Sequence, residues 1–252
     1  MNIQKYMINP MGSGSSALML PELRKSLDIQ YQELVSKITM AWYSFQDEYY
    51  IAHVKIPSRS IDALFYDVLI EVSKSSIPES STVINGGNAR VFSNCPSFTF
   101  TYAKVFDDKG DLISWTKGKY NTEVFVNDPV KRNPMKISNY ERSIYFAIKF
   151  ITTNGRNYKK RINLHIHKVE SHMEILNLIK SSDEIIQEYQ TKKKKQNTQK
   201  KSIVNSSKDS QKKDKKSISQ KKKTQGRVKT TSKTKTNKKT SKISTIKHTK
   251  RV

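Results

Sequence analysis

A chain of 252 residues, 35% hydrophobic, carries 47 Lys and Arg against 22 Asp and Glu, for a net charge of +25. One cysteine, Cys95, excludes an intramolecular disulfide framework and suits a reducing compartment; no apolar run reaches the roughly 18–20 residues needed to cross a bilayer. Met1–Ser16 lacks the unbroken apolar core of a signal peptide, so an intracellular location, the cytoplasm, is expected.

Charge and apolar residues divide at about Gln190. Both Trp, all twelve Tyr and all nine Phe precede it, enough large apolar surface for one core. The expected organisation is a flexible lead-in over 1–18, a single globular domain over 19–190, and a disordered polycationic tail over 191–252. In the domain, Leu23, Leu27, Tyr31, Leu34, Ile38 and Trp42 recur at spacings of three or four and predict a helix from Pro21 to about Tyr43. Tyr49–Ile56 and Tyr66–Val72 alternate with period two and predict strands.

Asn85-Gly-Gly-Asn88 reads as a turn between Thr82–Ile84 and a strand at Ala89–Phe92. Phe98, Phe100 and Tyr102 alternate with Thr99, Thr101 and Ala103 and predict a further strand. Asp107-Asp-Lys-Gly-Asp111 then supplies a hairpin turn before a return strand from Leu112 to Trp115. Ser138-x-x-Glu141 resembles a capping box opening a helix through Ile151. Arg161–His167 predicts a strand, and Ser171-x-x-Glu174 opens a last helix with Ile175, Ile179, Ile186 and Tyr189 on one side. The fold class is α+β, a mainly antiparallel sheet with about three helices.

The tail has 24 Lys and Arg against two acids, contains no Phe, Trp, Tyr, Leu or Met, and cannot bury enough surface to offset backbone ordering entropy. Its cations cluster at Lys192, Lys193, Lys194 and Lys195, at Lys200 and Lys201, at Lys212, Lys213, Lys215 and Lys216, and at Lys221, Lys222 and Lys223. Arg227, Lys229, Lys238 and Lys239 follow. Lysine ammonium groups are point charges on flexible stems, suited to phosphate attraction more than to base readout. The expected partner is nucleic acid, DNA ahead of RNA, bound without regard to sequence. Acidic protein and anionic membrane are the competing polyanions, the membrane disfavoured by the lack of an apolar face or aromatic anchor.

Within the domain, Arg156, Tyr158, Lys159, Lys160 and Arg161 form a smaller basic loop with an interleaved aromatic, which could add phosphate contacts and stack a base. Other chemistry finds little support. His165, His167 and Cys95 would supply three zinc ligands but lack a fourth and any paired-cysteine spacing. Cys95 reads as buried and inert, and the Asn85–Asn88 glycines lack a phosphate-loop Lys-Ser/Thr. No cofactor and no enzymatic activity are expected.

Three stretches, Arg90–Tyr102, Lys131–Pro134 and Asn139–Ala147, together resemble a class of poorly characterised structural or virion-associated proteins of tailed bacteriophages of low-GC hosts. The resemblance implies a virion- or phage-DNA-associated structural role in the host cytoplasm or the virion, the domain docking to a protein assembly while the tail holds nucleic acid. A nucleic-acid-processing enzyme with an affinity tail, and an adaptor whose tail binds acidic protein or anionic membrane, are the alternatives.

Overall fold

A computed structural model of the protein describes residues 3, 20–46, 48–77, 87–126, 141–153 and 165–198. All lie in the first of the two units into which the chain divides, Met1–Gln199; the second is Lys200–Val252. The first helix, α1 (Leu20–Leu34), is shorter than its apolar periodicity suggested. A 3-10 turn at Val35–Lys37 ends it, and Ile38 turns extended ahead of strand β1 (Thr39–Phe45). Trp42 therefore belongs to a strand, not to the helical stripe.

Strands β2 (Tyr49–Pro57), β3 (Phe65–Ser73) and β4 (Ala89–Ser93) match the alternation in the sequence. With β5 (Ile166–Val169) they form one sheet in the order β4-β3-β2-β1-β5. The pairs β1–β2, β2–β3 and β3–β4 are antiparallel, while β5 lies parallel to β1. The molecule is thus α+β with a mostly antiparallel sheet.

The predicted strand at Phe98–Ala103 is instead helical. Helix α2 (Pro96–Thr101) and helix α3 (Ala103–Asp108) follow β4 directly. Pro96 takes the first helical turn, where its missing N–H costs nothing. Phe98, Thr101, Val105 and Phe106 are buried at helical spacing, whereas Phe100 is 48% exposed. A second period thus ran under the period-two alternation, and burial of the Phe98–Phe106 pair, 5.3 Å between centroids, selects it.

Gly110, at φ +69°, closes α3 as a left-handed glycine, its N–H bonded to the Asp107 carbonyl; the hairpin turn expected there is a helix stop. The expected return strand reduces to one parallel bridge, Val91 with Leu112, before a 3-10 helix over Ser114–Lys119 and the short α4 (Glu123–Val126).

Helix α5 (Arg142–Thr153) buries Ile144, Phe146, Ala147, Ile148 and Ile151 beneath β2, β3 and β4. Each large apolar side chain so buried contributes about 1.5–3 kcal/mol. Ser138 lies outside the described residues. Glu141 itself accepts the Ile144 N–H at 2.9 Å and the Ser143 hydroxyl, so the carboxylate caps the helix start. Burial pushes the Glu141 carboxyl above its ordinary range against those bonds. Helix α1 lies against α5 through Tyr31 on Phe146 and through Asp28, which accepts from Tyr145 at 2.7 Å and from Lys149.

The other sheet face carries Phe45, Ile51, His53, Asp67, Leu69, Glu71 and Phe92. It is partly roofed by Trp115 and by α6 (His172–Leu176), whose His172 stacks on Trp115 at 4.5 Å and meets Phe45 at a 31° tilt, 3.8 Å between centroids. The single last helix expected from Ser171 is two. The Ser171/Glu174 capping box opens α6, the chain turns at 177–181, and a second helix, α7, covers residues 182–198.

Candidate nucleic-acid interface

Helix α7 opens on a second reciprocal cap. Ser181 N–H and hydroxyl donate to Glu184 Oε2 at 2.6 and 2.8 Å, and Glu184 N–H donates to Ser181 Oγ at 3.3 Å. This is the Ser-x-x-Glu signature again, present in the sequence but unread there. Ser182 and Ile185 are fully buried, tying the first turn to the domain.

The first lysine cluster rides on this helix, so the domain boundary expected at Gln190 falls inside a continuous α-helix. Residues 191–198, expected as disordered tail, are helical. Lys192 is held at both ends of its reach. Its Nζ is 2.7 Å from Glu188 Oε1 and donates to the Ala63 carbonyl at 2.6 Å. Ala63 has a left-handed backbone, φ 56°, in the turn between β2 and β3. Glu188 also pairs with Lys180 at 2.6 Å, and the hydrogen bonds from Lys180 and Lys192 hold its carboxyl below the ordinary value.

Lys193 sits 5.5 Å from the Tyr189 ring centroid, and Lys194 and Lys195 are exposed. Of the first cluster, then, Lys192 is engaged by the domain while Lys194 and Lys195 face solvent. Lys200, Lys201, Lys212, Lys213, Lys215, Lys216, Lys221, Lys222, Lys223, Arg227, Lys229, Lys238 and Lys239 lie outside the described residues, as do Arg156, Tyr158, Lys159, Lys160 and Arg161.

Cys95 is buried, and burial followed by the charge of Glu141 pushes its thiol up to about 12. His165 and His167 are exposed on the opposite side of the sheet order, beside β1. Among the described residues no three His, Cys, Asp or Glu side chains are grouped so as to hold a metal ion.

Two polar constellations emerge that the sequence reading did not contain. Glu71, 2% exposed, accepts from Arg90 Nε at 2.7 Å and from Trp115 Nε1 at 2.9 Å. Asp67, 5% exposed, takes His53 Nε2 on one oxygen at 2.8 Å. Its other oxygen accepts Asn94 Nδ2 at 3.0 Å and the Lys180 N–H at 3.2 Å. Asn94 in turn accepts the Asp67 N–H at 2.8 Å and donates to the Lys180 carbonyl at 3.0 Å. Burial opposes ionisation of Asp67, but the bond and charge of His53, then Lys180 and Asn94, outweigh it and hold the carboxyl low. A histidine placed among apolar residues on a central strand was the one signal in the sequence.

No family model, curated protein or solved structure matches this chain. Among the described residues, no helix is long and apolar enough to cross a membrane. Function therefore rests on the chain's own chemistry.

Proposed function

We propose that the chain is a non-enzymatic, nucleic-acid-binding structural protein whose Lys-rich segment neutralises phosphates independently of sequence. The observation that carries this reading is the partition of charge. Residues 191–252 hold 24 Lys and Arg against two acids, while the preceding 190 hold 23 against 20. Charge of one sign at that density attracts a polyanion and releases its counterions on binding. Exposed Lys194 and Lys195 begin this segment on a helix capped and buried at its other end, so the domain serves as its anchor.

DNA is the favoured polyanion, and the likeness of residues 90–147 to structural proteins of tailed bacteriophages supports a virion- or DNA-associated role in the host cell, the domain engaging a protein assembly. The test compares the intact protein with one ending at Gln199, which keeps α7, on random-sequence duplex across a salt series. A segment engaging about 6–10 phosphates loses roughly 10³–10⁵ in affinity between 50 and 200 mM salt. Removal of residues 200–252 should abolish most of that slope. Equal affinity and slope for the two proteins refutes the reading.

A further inference from the structure

The buried His53–Asp67 pair opens onto a groove of about 300 Å³ on the sheet face, lined by Thr39, Ala41, Tyr43, His53, Lys55 and Leu178 among others. His53 is 5% exposed, and its Nε2 is committed to Asp67. Nδ1 is then the polar atom that the ring offers to the groove, and no described residue bonds it. Ionised Asp67 requires a hydrogen on Nε2, so in the uncharged ring Nδ1 carries the lone pair and seeks a donor. Asn94 and the Lys180 backbone lock the carboxylate that locks the ring, fixing the acceptor before any ligand arrives.

Around this acceptor stand groups of different chemistry. Lys55, exposed on the same strand face two residues along from His53, offers an ammonium with no ion-pair partner among the described residues. Tyr43 offers a half-buried ring, with exposed His167 beside it at 5.5 Å and 36°. Ala41, directly opposite His53 in the β1–β2 register, has too small a side chain to fill the space between them.

We propose that this groove binds one unpaired nucleotide of a single-stranded nucleic acid. Tyr43 stacks the base, His53 Nδ1 accepts from a base N–H or a sugar hydroxyl, and Lys55 takes the phosphate. The inference builds on the nucleic-acid reading but places recognition on the domain, away from the Lys-rich segment. One cation, one acceptor and one aromatic face match a nucleotide better than they match bare phosphate, which makes no use of the Tyr43 ring. The volume lies at the small end of ligand sites, and the imidazole sits at its floor, so bases held inside a duplex stack cannot reach it.

The experiment uses the full chain at salt high enough to release phosphates from the Lys-rich segment. Thymidine 5′-monophosphate is titrated while the His53 ring nitrogens are followed by NMR, and a single-stranded oligonucleotide carrying 5-iodouracil is photo-cross-linked and mapped. The expected result is a saturable shift of His53 Nδ1 and a cross-link at Tyr43. Lys55→Gln, on the surface and harmless to folding, should weaken the mononucleotide at least tenfold, the loss of about one charge-assisted bond. Tyr43→Leu should abolish the cross-link.

An unmoved His53 with cross-links confined to residues beyond 198 overturns the groove and leaves the proposed function standing. Inorganic phosphate producing the same shift at equal concentration also overturns it, since the base is then unread. Groove binding that persists while duplex affinity ignores residues 200–252 supports the groove and refutes the proposed function.

Discussion

Replacing Asp67 by Ala strips an acceptor from two buried donors, His53 Nε2–H and one Asn94 amide hydrogen, and from the partly buried Lys180 N–H. Each buried donor left unpaired costs about 1–3 kcal/mol, and water entering from the groove side can rescue part of the His53 term, so the expected loss is about 3–5 kcal/mol. With a urea m-value of about 2 kcal/mol/M, the midpoint should fall by roughly 1.5–2.5 M at unchanged m. Asp67→Asn is the sharper probe. An amide oxygen turned toward Asn94 and Lys180 leaves its NH₂ facing His53, which must then accept on Nε2 and carry its proton on Nδ1. That variant should lose only about 1–2 kcal/mol but reverse the His53 tautomer, visible in the ring nitrogen shifts.

The pH dependence follows from the same geometry. The Asp67 carboxyl is held below its ordinary 3.8, so its contribution is complete above that value and is lost as pH falls through the lower native one. Asp67→Asn should therefore flatten the acid limb of the stability curve. A midpoint change under 0.5 M for Asp67→Ala, or an unaltered tautomer in Asp67→Asn, refutes the claim that this network is satisfied through the carboxylate.

Glu141 titrates in the opposite sense. Its native value is raised, so its contribution is present below about 4.5 and is lost as pH rises through the native value; Glu141→Gln should gain stability relative to the parent as pH increases, read from denaturation midpoints at several pH values. Trp115→Phe keeps a ring against His172 but removes the bond to Glu71, and thermal unfolding should register about 1.5–3 kcal/mol of destabilisation. With its thiol pushed up to about 12 and buried, Cys95 should react with a disulfide reagent at neutral pH at least ~10³ times more slowly in the native protein than in denaturant. Comparable rates would place the thiol at the surface.

Where local patterns had one reading, the chain was legible. Tyr49–Ile56 and Tyr66–Val72 alternate without a competing period, and their pairing gives the centre of the sheet. Phe98–Ala103 satisfied two periods at once, and only the long-range burial of Phe98 against Phe106 and Tyr120 decides for helix. Trp42 continued a helical spacing by coincidence, since β1 begins where Ile38 turns extended. The lysine clusters were plain from composition, yet the capping box at Ser181 and the Lys192 contacts show a helix carrying the first of them. The groove could not be foreseen. Asp67 meets His53 across 14 residues, Asn94 across 27 and Lys180 across 113, and no local window spans such partners.

Lys180 donates its N–H to Asp67 and is followed at once by the cap of α7, so the helix has its root in the middle of the sheet. At 1.5 Å per residue its 17 residues make a rod about 25 Å long, braced part-way by Lys192 on the Ala63 carbonyl. Tension drawn along the chain beyond residue 198 must pass through that brace before it loads the root. Pull that breaks the brace would deliver force to the carboxylate holding the His53 ring, coupling a load on this end of the helix to the shape of the groove floor.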